Sequence, residues 1–426
     1  MWIVVYRVVL YPLFTCLMWL AGFFSPKIRR GLKGSREWRA QLAGLAGATG
    51  GEFPVHFHAA SVGEFEQAKP LVEGLRSEQR RYRITASFFS PSGYEQQGRY
   101  AALDAASYLP RDSRSEMSDF LEVIAPRLIV IIRYDLWPGL LLEARRRGIP
   151  VVLACGVLRG DSSRFRPFAR GFFRNVYGLL ALIHAVSPAD AGAFGRLVPE
   201  VDVETSGDTR YDRVIARAHA AADLPVFTPE LAAGRTVLVA GSTWPADEEL
   251  LAGLAGRNDL LLIVVPHEPT PEHVGALLKS LPGAVALSHL ESSPAQAPPR
   301  AIIVDRTGIL SALYRVGHLA YVGGGFGDGV HSVLEPAAYG MPVFCGPRIG
   351  RSRDAEEMHA AGGLVVVRQA GELAQHVERL LADDAAREQH GARVREFVRQ
   401  RTGAAGRIIA SLHARGLIRG DSNLYL

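Results

Sequence analysis

The strongest constraint on the fold of this chain is a series of short apolar runs, each separated from the next by a segment with helical periodicity. The runs are rich in β-branched residues and lack polar alternation, which is typical of strands buried on both faces of a parallel sheet. The first series comprises 55–60, 83–88, 127–133, 150–155 and 182–187. The second comprises 236–242, 260–267, 301–306, 318–324, 342–347 and 363–367. Helical segments such as 64–80 and 136–148 lie between them, so the sequence predicts βαβ repeats in two α/β domains.

The chain has 426 residues, 48% of them hydrophobic, which is enough for two separate cores. An Ala- and Pro-rich segment with few apolar positions separates the two series and indicates a linker, and 371–415 has helical spacing. We expect these divisions: 1–26 membrane anchor, 27–215 N-terminal domain, 216–235 linker, 236–405 C-terminal domain, and 406–426 C-terminal helix and tail. Two doubly wound domains would face a cleft at the carboxyl ends of their strands, where open α/β sheets bind ligands.

Residues 2–24 form an apolar segment whose one charge is Arg7, and this length exceeds the roughly 20 residues that a membrane-spanning helix needs. The segment 25–39 that follows carries an excess of Lys and Arg over its single acid. The positive-inside rule then predicts a spanning anchor with the rest of the chain in the cytoplasm. A helix lying in the membrane interface, with Arg7 on its wet side, is the alternative. A cleaved signal peptide is disfavoured because the start is not basic and no clear cleavage site follows.

The bulk charge and the cysteines exclude several classes of function. A net charge of +5 is modest for this length and gives no argument for nucleic acid binding. The three cysteines share no spacing motif, which suits a reducing compartment and excludes zinc sites built from clustered cysteines. The acidic triplet 202–204 resembles a metal motif of some glycosyltransferases but lies in an apparent strand just before the linker, so we expect no metal site.

The glycine-rich stretch 323–340, GGGFGDGVHSVLEPAAYG, follows a predicted strand. Its glycines are not spaced as a dinucleotide fingerprint, and the chain has no Walker loop. We expect a glycine turn, then a helix beginning near Val330 or His331, whose free N–H groups would favour an anion. His331 and Glu335 are four residues apart and would share one helix face. The alternative is an ordinary helix N-terminus with an ion pair.

A second strand-to-helix junction is AGSTWPADEE, 240–249. Ser242 and Thr243 have hydroxyls that would donate to a phosphate, although the same pattern is typical of an ordinary capped helix. His267 follows another strand of the same domain. Because His267 and His331 both belong to strand-to-helix junctions, we expect them on one edge of the C-terminal domain.

The N-terminal domain has two junctions of the same kind. In HAASVGEFEQAKP, 58–70, Glu64 opens a helix directly after a strand, where a carboxylate suits a general base. The alternative role for Glu64 is to complement the helix dipole. In IIRYDLWPG, 131–139, Arg133 and Asp135 follow a strand and precede a helix.

Several of these stretches together resemble one family, the 3-deoxy-D-manno-octulosonic acid (Kdo) transferases of lipopolysaccharide biosynthesis. The matching stretches are HAASVGE (58–64), LWP (136–138), SGDTRYD (206–212), AGSTWPADEE (240–249) and GGGFGDGVHSVLEPAAYGMPVFCGP (323–347). The resemblance implies a GT-B fold with an acceptor-binding N-terminal domain and a C-terminal domain that binds CMP-Kdo. It also implies membrane association, no cofactor, and inverting transfer of Kdo to a lipid A precursor at the cytoplasmic face of the inner membrane.

The resemblance, the strand-to-helix junctions and the basic segment together assign roles to residues. The resemblance implies that Glu64 is the catalytic base. The residues expected to bind the donor are Ser242, Thr243, His267, Gly324, Gly325, His331 and Glu335. The residues expected to bind the acceptor are Ser61, Gly63, Lys27, Arg29, Arg30, Lys33, Arg133 and Asp135. The basic ones among these would face the phosphates of the acceptor near the membrane.

The chain departs from the family pattern at two points. Many members have E-T-E before LWP, where this chain has Arg133, Tyr134 and Asp135, so Arg133 would instead meet an anionic acceptor. Many members have P-R-H-P where this chain has P-H-E-P at 266–269, which alters the expected donor contact. A GT-B transferase or epimerase that uses a UDP-sugar is the rival enzyme, and an inactive membrane-anchored scaffold is the rival without catalysis.

Overall fold

The computed structural model describes residues 2–45, 52–221, 224, 226–227, 229–232, 234–293 and 298–418. The chain divides into two compact units: Met1–Arg213 with Thr402–Leu426, and Val214–Arg401. Parts of the expected linker and of the expected tail lie outside the described residues. Each unit is built on a parallel sheet, so the expected α/β class with two Rossmann-like domains is confirmed.

The described part of the first unit contains a seven-stranded sheet in which every pairing is parallel. In chain order its strands are β1 Phe53–Ala59, β2 Tyr82–Phe88, β3 Ala105–Tyr108, β4 Leu128–Ile132, β5 Val151–Gly156, β6 Leu182–Ala185 and β7 Val203–Thr205. Their spatial order is β3-β2-β1-β4-β5-β6-β7. The order reverses between β1 and β4, and ligands of doubly wound sheets bind at such a switch point. The segments that follow β1 and β4 carry Glu64 and Asp135.

Helices cover both faces of this sheet. The helices of this unit are α1 Trp2–Val5, α2 Tyr11–Phe24, α3 Pro26–Arg36, α4 Trp38–Gln41, α5 Val62–Ser77, α6 Pro91–Gln97, α7 Arg114–Ile124, α8 Pro138–Arg146, α9 Pro167–Tyr177 and α10 Pro188–Leu197, and α11 Thr209–Ala220 runs from this unit into the second. A π-helical turn joins α1 to α2, and a 3₁₀ turn, Ser163–Phe165, precedes α9. One core packs around Trp38 and Phe120, and a second core packs around Phe57 and Phe65. Two cores, one on each face, explain why the strands are continuously apolar.

The second unit repeats this plan. In the described residues its strands are β8 Thr236–Thr243, β9 Leu260–Pro266, β10 Ala284–Ala286, β11 Ala301–Ile303, β12 Leu319–Val322, β13 Val343–Cys345 and β14 Leu364–Val366. Its helices are α12 Pro229–Ala232, α13 Pro245–Ala252, α14 Pro271–Ser280, α15 Leu287–Ser292, α16 Leu310–Val316, α17 Leu334–Ala338, α18 Arg353–Ala360, α19 Ala370–Ala382 and α20 Asp384–Arg399. The strand order is β10-β11-β9-β8-β12-β13-β14, so the switch point lies between β8 and β12. The two predicted donor junctions follow these two strands.

The last described helix, α21 Ala404–Ala414, belongs to the first unit. It contributes Ile408 and Leu412 to the core that contains Phe65 of α5. Its N-terminus is capped by Asp212, whose carboxylate accepts the backbone N–H groups of Gly403 and Ala405. The chain therefore crosses to the second unit and returns, which the sequence pattern did not predict.

The N-terminal helix lies against the first unit along one side. Its π turn, Tyr6–Leu10, brings Tyr6 and Tyr11 to the same side, with ring centroids 5.8 Å apart. The Tyr6 hydroxyl donates to the buried carboxylate of Asp112 at 2.7 Å, and the Tyr11 hydroxyl accepts the Asp112 N–H at 2.6 Å. The opposite side exposes large apolar side chains, among them Val8, Leu17 and Phe23. Residues Trp2–Phe24 are long and apolar enough to cross a membrane.

Candidate active site

Glu64 lies in the first turn of α5, directly after β1 and therefore at the switch point of the first sheet. Ser61 is extended at the helix N-cap and its hydroxyl donates to the Glu64 carboxylate, which is half-buried. Among the described residues, no Lys, Arg or His lies within ion-pair distance of Glu64. Gly63 is exposed, and a Cβ there would meet only the Ser61 hydroxyl within 4 Å. The arrangement leaves a carboxylate that is oriented but not neutralised.

The body of α5 is fixed by residues from two other segments. The Thr209 hydroxyl donates to the carbonyl of Gln67 at 2.7 Å, and Arg133 Nε donates to the Gln67 side-chain oxygen at 2.9 Å. Arg213 also binds this helix, through Glu66, at 2.6 Å. The SGDTRYD motif therefore holds the helix that carries Glu64.

Arg133 is placed differently from the expectation that it meets an anionic acceptor. Its guanidinium lies 3.4 Å from the carboxylate of Asp208 and its side chain is 19% exposed. Burial alone would raise the pKa of Asp208, but the positive charges of Arg210 and Arg133 outweigh it and hold that pKa below its usual value. A charge paired in this way is a structural element of the loop after β4, where Arg133 adopts a positive φ of 67°.

Asp135 ends a chain of buried polar side chains. His58 Nε2 lies 2.9 Å from Asp135 Oδ2, and His58 Nδ1 lies 2.9 Å from the hydroxyl of Ser87. His56 lies 2.9 Å from the same hydroxyl, and Trp137 Nε1 donates to Asp135 at 3.1 Å. Burial favours a raised pKa for Asp135, but the hydrogen bonds from His58 and Trp137 dominate, so its pKa is lowered. Asp135 is therefore an oriented anion at the same switch point as Glu64.

The four basic residues expected at the acceptor have different surroundings. Arg29 donates to the carbonyls of Gly22 and Phe23 and so caps the C-terminus of α2. Arg30 pairs with a carboxylate of α6 at 3.1 Å, and Lys33 pairs at 3.8 Å with Glu37, the residue that caps the end of α3. Lys27 is exposed, and no described carboxylate lies within 4 Å of its amino group.

In the second unit, the junction between β8 and α13 has a strained backbone. Ser242 adopts a positive φ of 54°, which is uncommon for a residue with a side chain. The Thr243 hydroxyl is fully buried and donates to Glu248 at 2.8 Å, so it does not donate to a ligand as expected. Ser242, which is half-buried, is the hydroxyl of this pair that remains near the surface.

The glycine turn after β12 folds closely onto this junction. A Cβ at Gly323 would lie 2.7 Å from the Thr243 Cα, and a Cβ at Gly325 would lie 2.6 Å from the backbone of Gly346. Gly324 adopts a positive φ of 90°, and its N–H donates to Asp247 at 2.9 Å. Close backbone approach therefore explains the first and third glycines, and backbone conformation explains the second.

Three aromatic rings form a stack beside the turn. Trp244 and His267 have ring centroids 5.0 Å apart, and His267 and His331 have centroids 4.4 Å apart at 16°. Trp244 Nε1 also donates to His331 Nε2 at 3.0 Å. Burial and the neighbouring His267 lower the pKa of His331, which keeps its ring neutral and able to accept this bond. The structure thus brings together the two histidines that the sequence placed on one edge.

Glu335 and His331 do not share a helix face. Helix α17 begins at Leu334, so His331 lies in the preceding loop, and the expected helix beginning near Val330 is wrong. The helix has five residues because Pro336 and Gly340, the latter at a positive φ of 69°, interrupt the pattern. Glu335 is in its first turn and pairs with Arg217 at 3.3 Å.

Sequence reasoning missed two residues of this site. The sequence predicted no role for Trp244. Its position between a strand and a helix is the feature that could have identified it as a residue of the site. Asp247 lies in the 240–249 stretch, and the sequence predicted no role in the site for its carboxylate. It is 1% exposed and accepts the N–H groups of Trp244 and Gly324 and the hydroxyl of Tyr321. No group of three metal-ligating side chains occurs in the described part of the chain.

Comparison with known proteins gives one consistent result. Residues 33–213 match the family model described as 3-deoxy-D-manno-octulosonic-acid transferase (kdotransferase). A 3-deoxy-D-manno-octulosonic acid transferase of Haemophilus influenzae is 27% identical over 414 residues, covering 93% of this chain and 94% of that protein. The enzyme of the same name from Chlamydophila psittaci is 30% identical over 313 residues, covering 71% of each chain.

Solved structures resemble the chain in fold. The UDP-GlcNAc 2-epimerase of Neisseria meningitidis, solved with UDP-GlcNAc, aligns with a TM-score of 0.59 at 14% identity. The alignment covers 85% of this chain and 100% of that one. A likeness at this identity shows the two-domain fold and carries no conclusion about the substrate.

Proposed function

Because the chain belongs to the 3-deoxy-D-manno-octulosonic acid transferase family, and is therefore a glycosyltransferase, we propose that it transfers Kdo from CMP-Kdo to a lipid A precursor in lipopolysaccharide synthesis. The observation that carries this proposal is the position of Glu64, a half-buried carboxylate at a sheet switch point. Ser61 orients it, and no described cation neutralises it. A neighbouring cation would stabilise the carboxylate and weaken it as a base.

In the proposed reaction, Glu64 accepts the proton of an acceptor hydroxyl. The freed oxygen forms a bond to the anomeric carbon of Kdo on the face opposite the leaving group. The bond from that carbon to the phosphate oxygen breaks, and CMP leaves with the electron pair. This single displacement inverts the configuration at the anomeric carbon.

The second unit is proposed to hold the donor. Ser242 and the N-terminal turn of α13 present a hydroxyl and backbone N–H groups, which favour a phosphate. The stack that includes His267 and His331 offers a flat aromatic surface for a ring of the nucleotide or sugar. Gly324, Gly325 and Glu335 complete this set, and the buried Asp247 holds the turn in place.

The first unit is proposed to hold the acceptor. Asp135 is suited to accept a hydrogen bond from a sugar hydroxyl, since its charge is maintained by His58 and Trp137. Lys27 is suited to an acceptor phosphate because it is exposed. We place the enzyme at the cytoplasmic face of the inner membrane, with its N-terminal helix lying in the interface.

The variant Glu64→Gln tests the proposed base. It keeps the size of the side chain, so CMP-Kdo binding should persist, while transfer should fall by roughly a hundred- to ten-thousandfold. Mass spectrometry of the lipid product measures the transfer, and equilibrium binding of CMP against UDP identifies the donor nucleotide. Glu73→Gln, later in the same helix, is the matched control. Near-normal turnover in Glu64→Gln would exclude this residue as the base.

A further inference from the structure

A cavity of about 750 Å³ lies between the N-terminal helix and the rest of the first unit. Its walls come from α2, from α3, and from the segments that follow β2, β3 and β4. The volume is in the range of about 300–1,000 Å³ found for small-molecule sites. At roughly 30 Å³ for a group the size of a water molecule, the cavity has room for a long acyl chain.

The walls of this cavity are mainly apolar and aromatic. Phe14 of α2 lies 6.4 Å from Phe89 and 5.9 Å from Trp137, measured between ring centroids. Phe89 and Trp137 are themselves 5.1 Å apart. Met18 and Leu32 line the cavity from the two N-terminal helices. Such a surface favours a hydrocarbon chain over a polar ligand.

Three cations line the cavity. Lys27 and Arg36 of α3 line it, and within the described residues neither forms an ion pair. Arg111 also lines it but is paired with Glu116, so it adds little net charge. An apolar cavity with unpaired cations is complementary to an amphiphile that has an anionic headgroup.

The cavity adjoins the candidate catalytic residues at two points. The N–H of Ser90, a lining residue, donates to the carbonyl of Ala60 at 2.7 Å, and Ala60 precedes the Ser61 that orients Glu64. Trp137, another lining residue, donates to Asp135. A ligand whose chain enters the cavity would therefore have its headgroup near these side chains.

We propose that this cavity binds an acyl chain of the lipid acceptor and thereby positions the sugar hydroxyl that receives Kdo. This inference rests on the proposed function, whose acceptor is a phosphorylated, acylated sugar. The polar residues of the first unit alone would not distinguish an acylated acceptor from the same sugar without acyl chains. The cavity would make that distinction, because it binds a chain. The unpaired Lys27 and Arg36 suit the phosphate of the same molecule.

The test fills the cavity from the helix side. Thr15 lines the cavity, whereas Leu17, two residues later, is 56% exposed and does not. In Thr15→Phe the ring should exclude about two methylene groups, which corresponds to about a tenfold rise in KM for the acylated acceptor. The KM for a water-soluble, deacylated acceptor should not change. Leu17→Phe is the matched control and should leave both values unchanged.

A binding measurement separates this inference from the proposed function. In a Trp19→Phe background, Trp137 is the tryptophan that lines the cavity, and an acceptor with brominated chains should quench its fluorescence. Thr15→Phe should remove this quenching whether or not Kdo is transferred. If transfer occurs but Thr15→Phe affects acylated and deacylated acceptors equally, the cavity does not bind the acceptor chain. Brominated phospholipid is the second comparison. If it quenches Trp137 as strongly as the brominated acceptor does, and added acceptor does not reduce that quenching, then bulk lipid fills the cavity and the inference is overturned.

Discussion

Removing Asp247 should release the glycine turn that is proposed to hold the donor. Its buried carboxylate accepts the N–H of Gly324 at 2.9 Å, the N–H of Trp244 at 3.0 Å and the hydroxyl of Tyr321 at 2.8 Å. Each hydrogen bond to a charged acceptor contributes about 1.5–3 kcal/mol, and the contributions are not additive. For Asp247→Ala we therefore expect a loss of about 3–5 kcal/mol in the free energy of opening this turn.

Asp247→Asn should behave differently, because of the way the three donors divide between the two oxygens. Both N–H groups bind Oδ2, and the Tyr321 hydroxyl binds Oδ1. An amide can place its oxygen at the first position and donate from its nitrogen to the Tyr321 oxygen, which also accepts. The Asn variant should lose only the charge assistance, about 1–2 kcal/mol.

Hydrogen exchange followed by mass spectrometry on a peptide that spans 322–330 measures this opening. A change of about 1.4 kcal/mol alters the opening equilibrium tenfold, so Asp247→Ala should accelerate exchange by about a hundred- to several-thousandfold. Asp247→Asn should accelerate it by about tenfold. Glu249→Gln, an exposed position on the same helix, is the control. Equal exchange in the Ala variant and the wild type would refute the argument that Asp247 holds the turn.

Two further predictions concern pH and membrane topology. Burial and the neighbouring His58 lower the pKa of His56 to about 3, from the usual 6.5. Below pH 6.5, His56 of the unfolded chain binds a proton that the folded chain does not bind. The contribution of His56 to the free energy of unfolding should therefore be fully present above pH 6.5. The free energy of unfolding should fall by up to about 1.4 kcal/mol per pH unit between pH 6.5 and pH 3. In His56→Gln, the denaturation midpoint should depend less steeply on pH over this range. An unchanged slope would contradict the assignment. A tag on the N-terminus should resist protease added outside spheroplasts if the helix lies in the cytoplasmic interface, whereas cleavage would show that it spans.

The central strands were predictable from the sequence, because buried parallel strands give continuous apolar runs, whereas the strand order that places the switch points was not. The edge strands β3 and β10 were not predicted. AASY and AVA are short and rich in Ala, so they have little of the β-branched character that identifies a strand. The crossing of α21 to the first unit depends on Asp212, which lies almost two hundred residues from the N–H groups that it caps. No local pattern encodes a contact of that separation.

The sequence predicted which residues of the candidate site lie at strand-to-helix junctions. It was less successful in predicting which partners their side chains contact. Glu64, His267 and His331 were identified because each follows a strand end, and position relative to a strand is a local property. The roles expected for Arg133 and Thr243 depended on what each side chain meets. Arg133 pairs with Asp208 and the Thr243 hydroxyl donates to Glu248, and both partners are buried acids that the sequence alone presented as motif or helix charge.

The N-terminal helix illustrates the same limit. By length and hydropathy, residues 2–24 suit a spanning helix as well as an interfacial one. The contacts of the helix distinguish the two arrangements. The hydroxyl groups of Tyr6 and Tyr11 bind Asp112, and further along the helix Phe14 packs on Phe89 and Trp137. Arg7 is half-buried, and burial of the nearby Asp112 carboxyl raises its pKa to about 6 although the charge of Arg7 acts to lower it.

A helix that crossed the bilayer while keeping these contacts would carry the polar loops of an α/β unit into hydrocarbon, where each unsatisfied backbone group costs several kcal/mol. A helix lying in the interface keeps them and turns its exposed apolar side towards lipid. In the proposed interfacial orientation, the cavity behind α2 would lie at the level of the lipid chains, and an acyl chain of the acceptor would enter it without leaving the membrane.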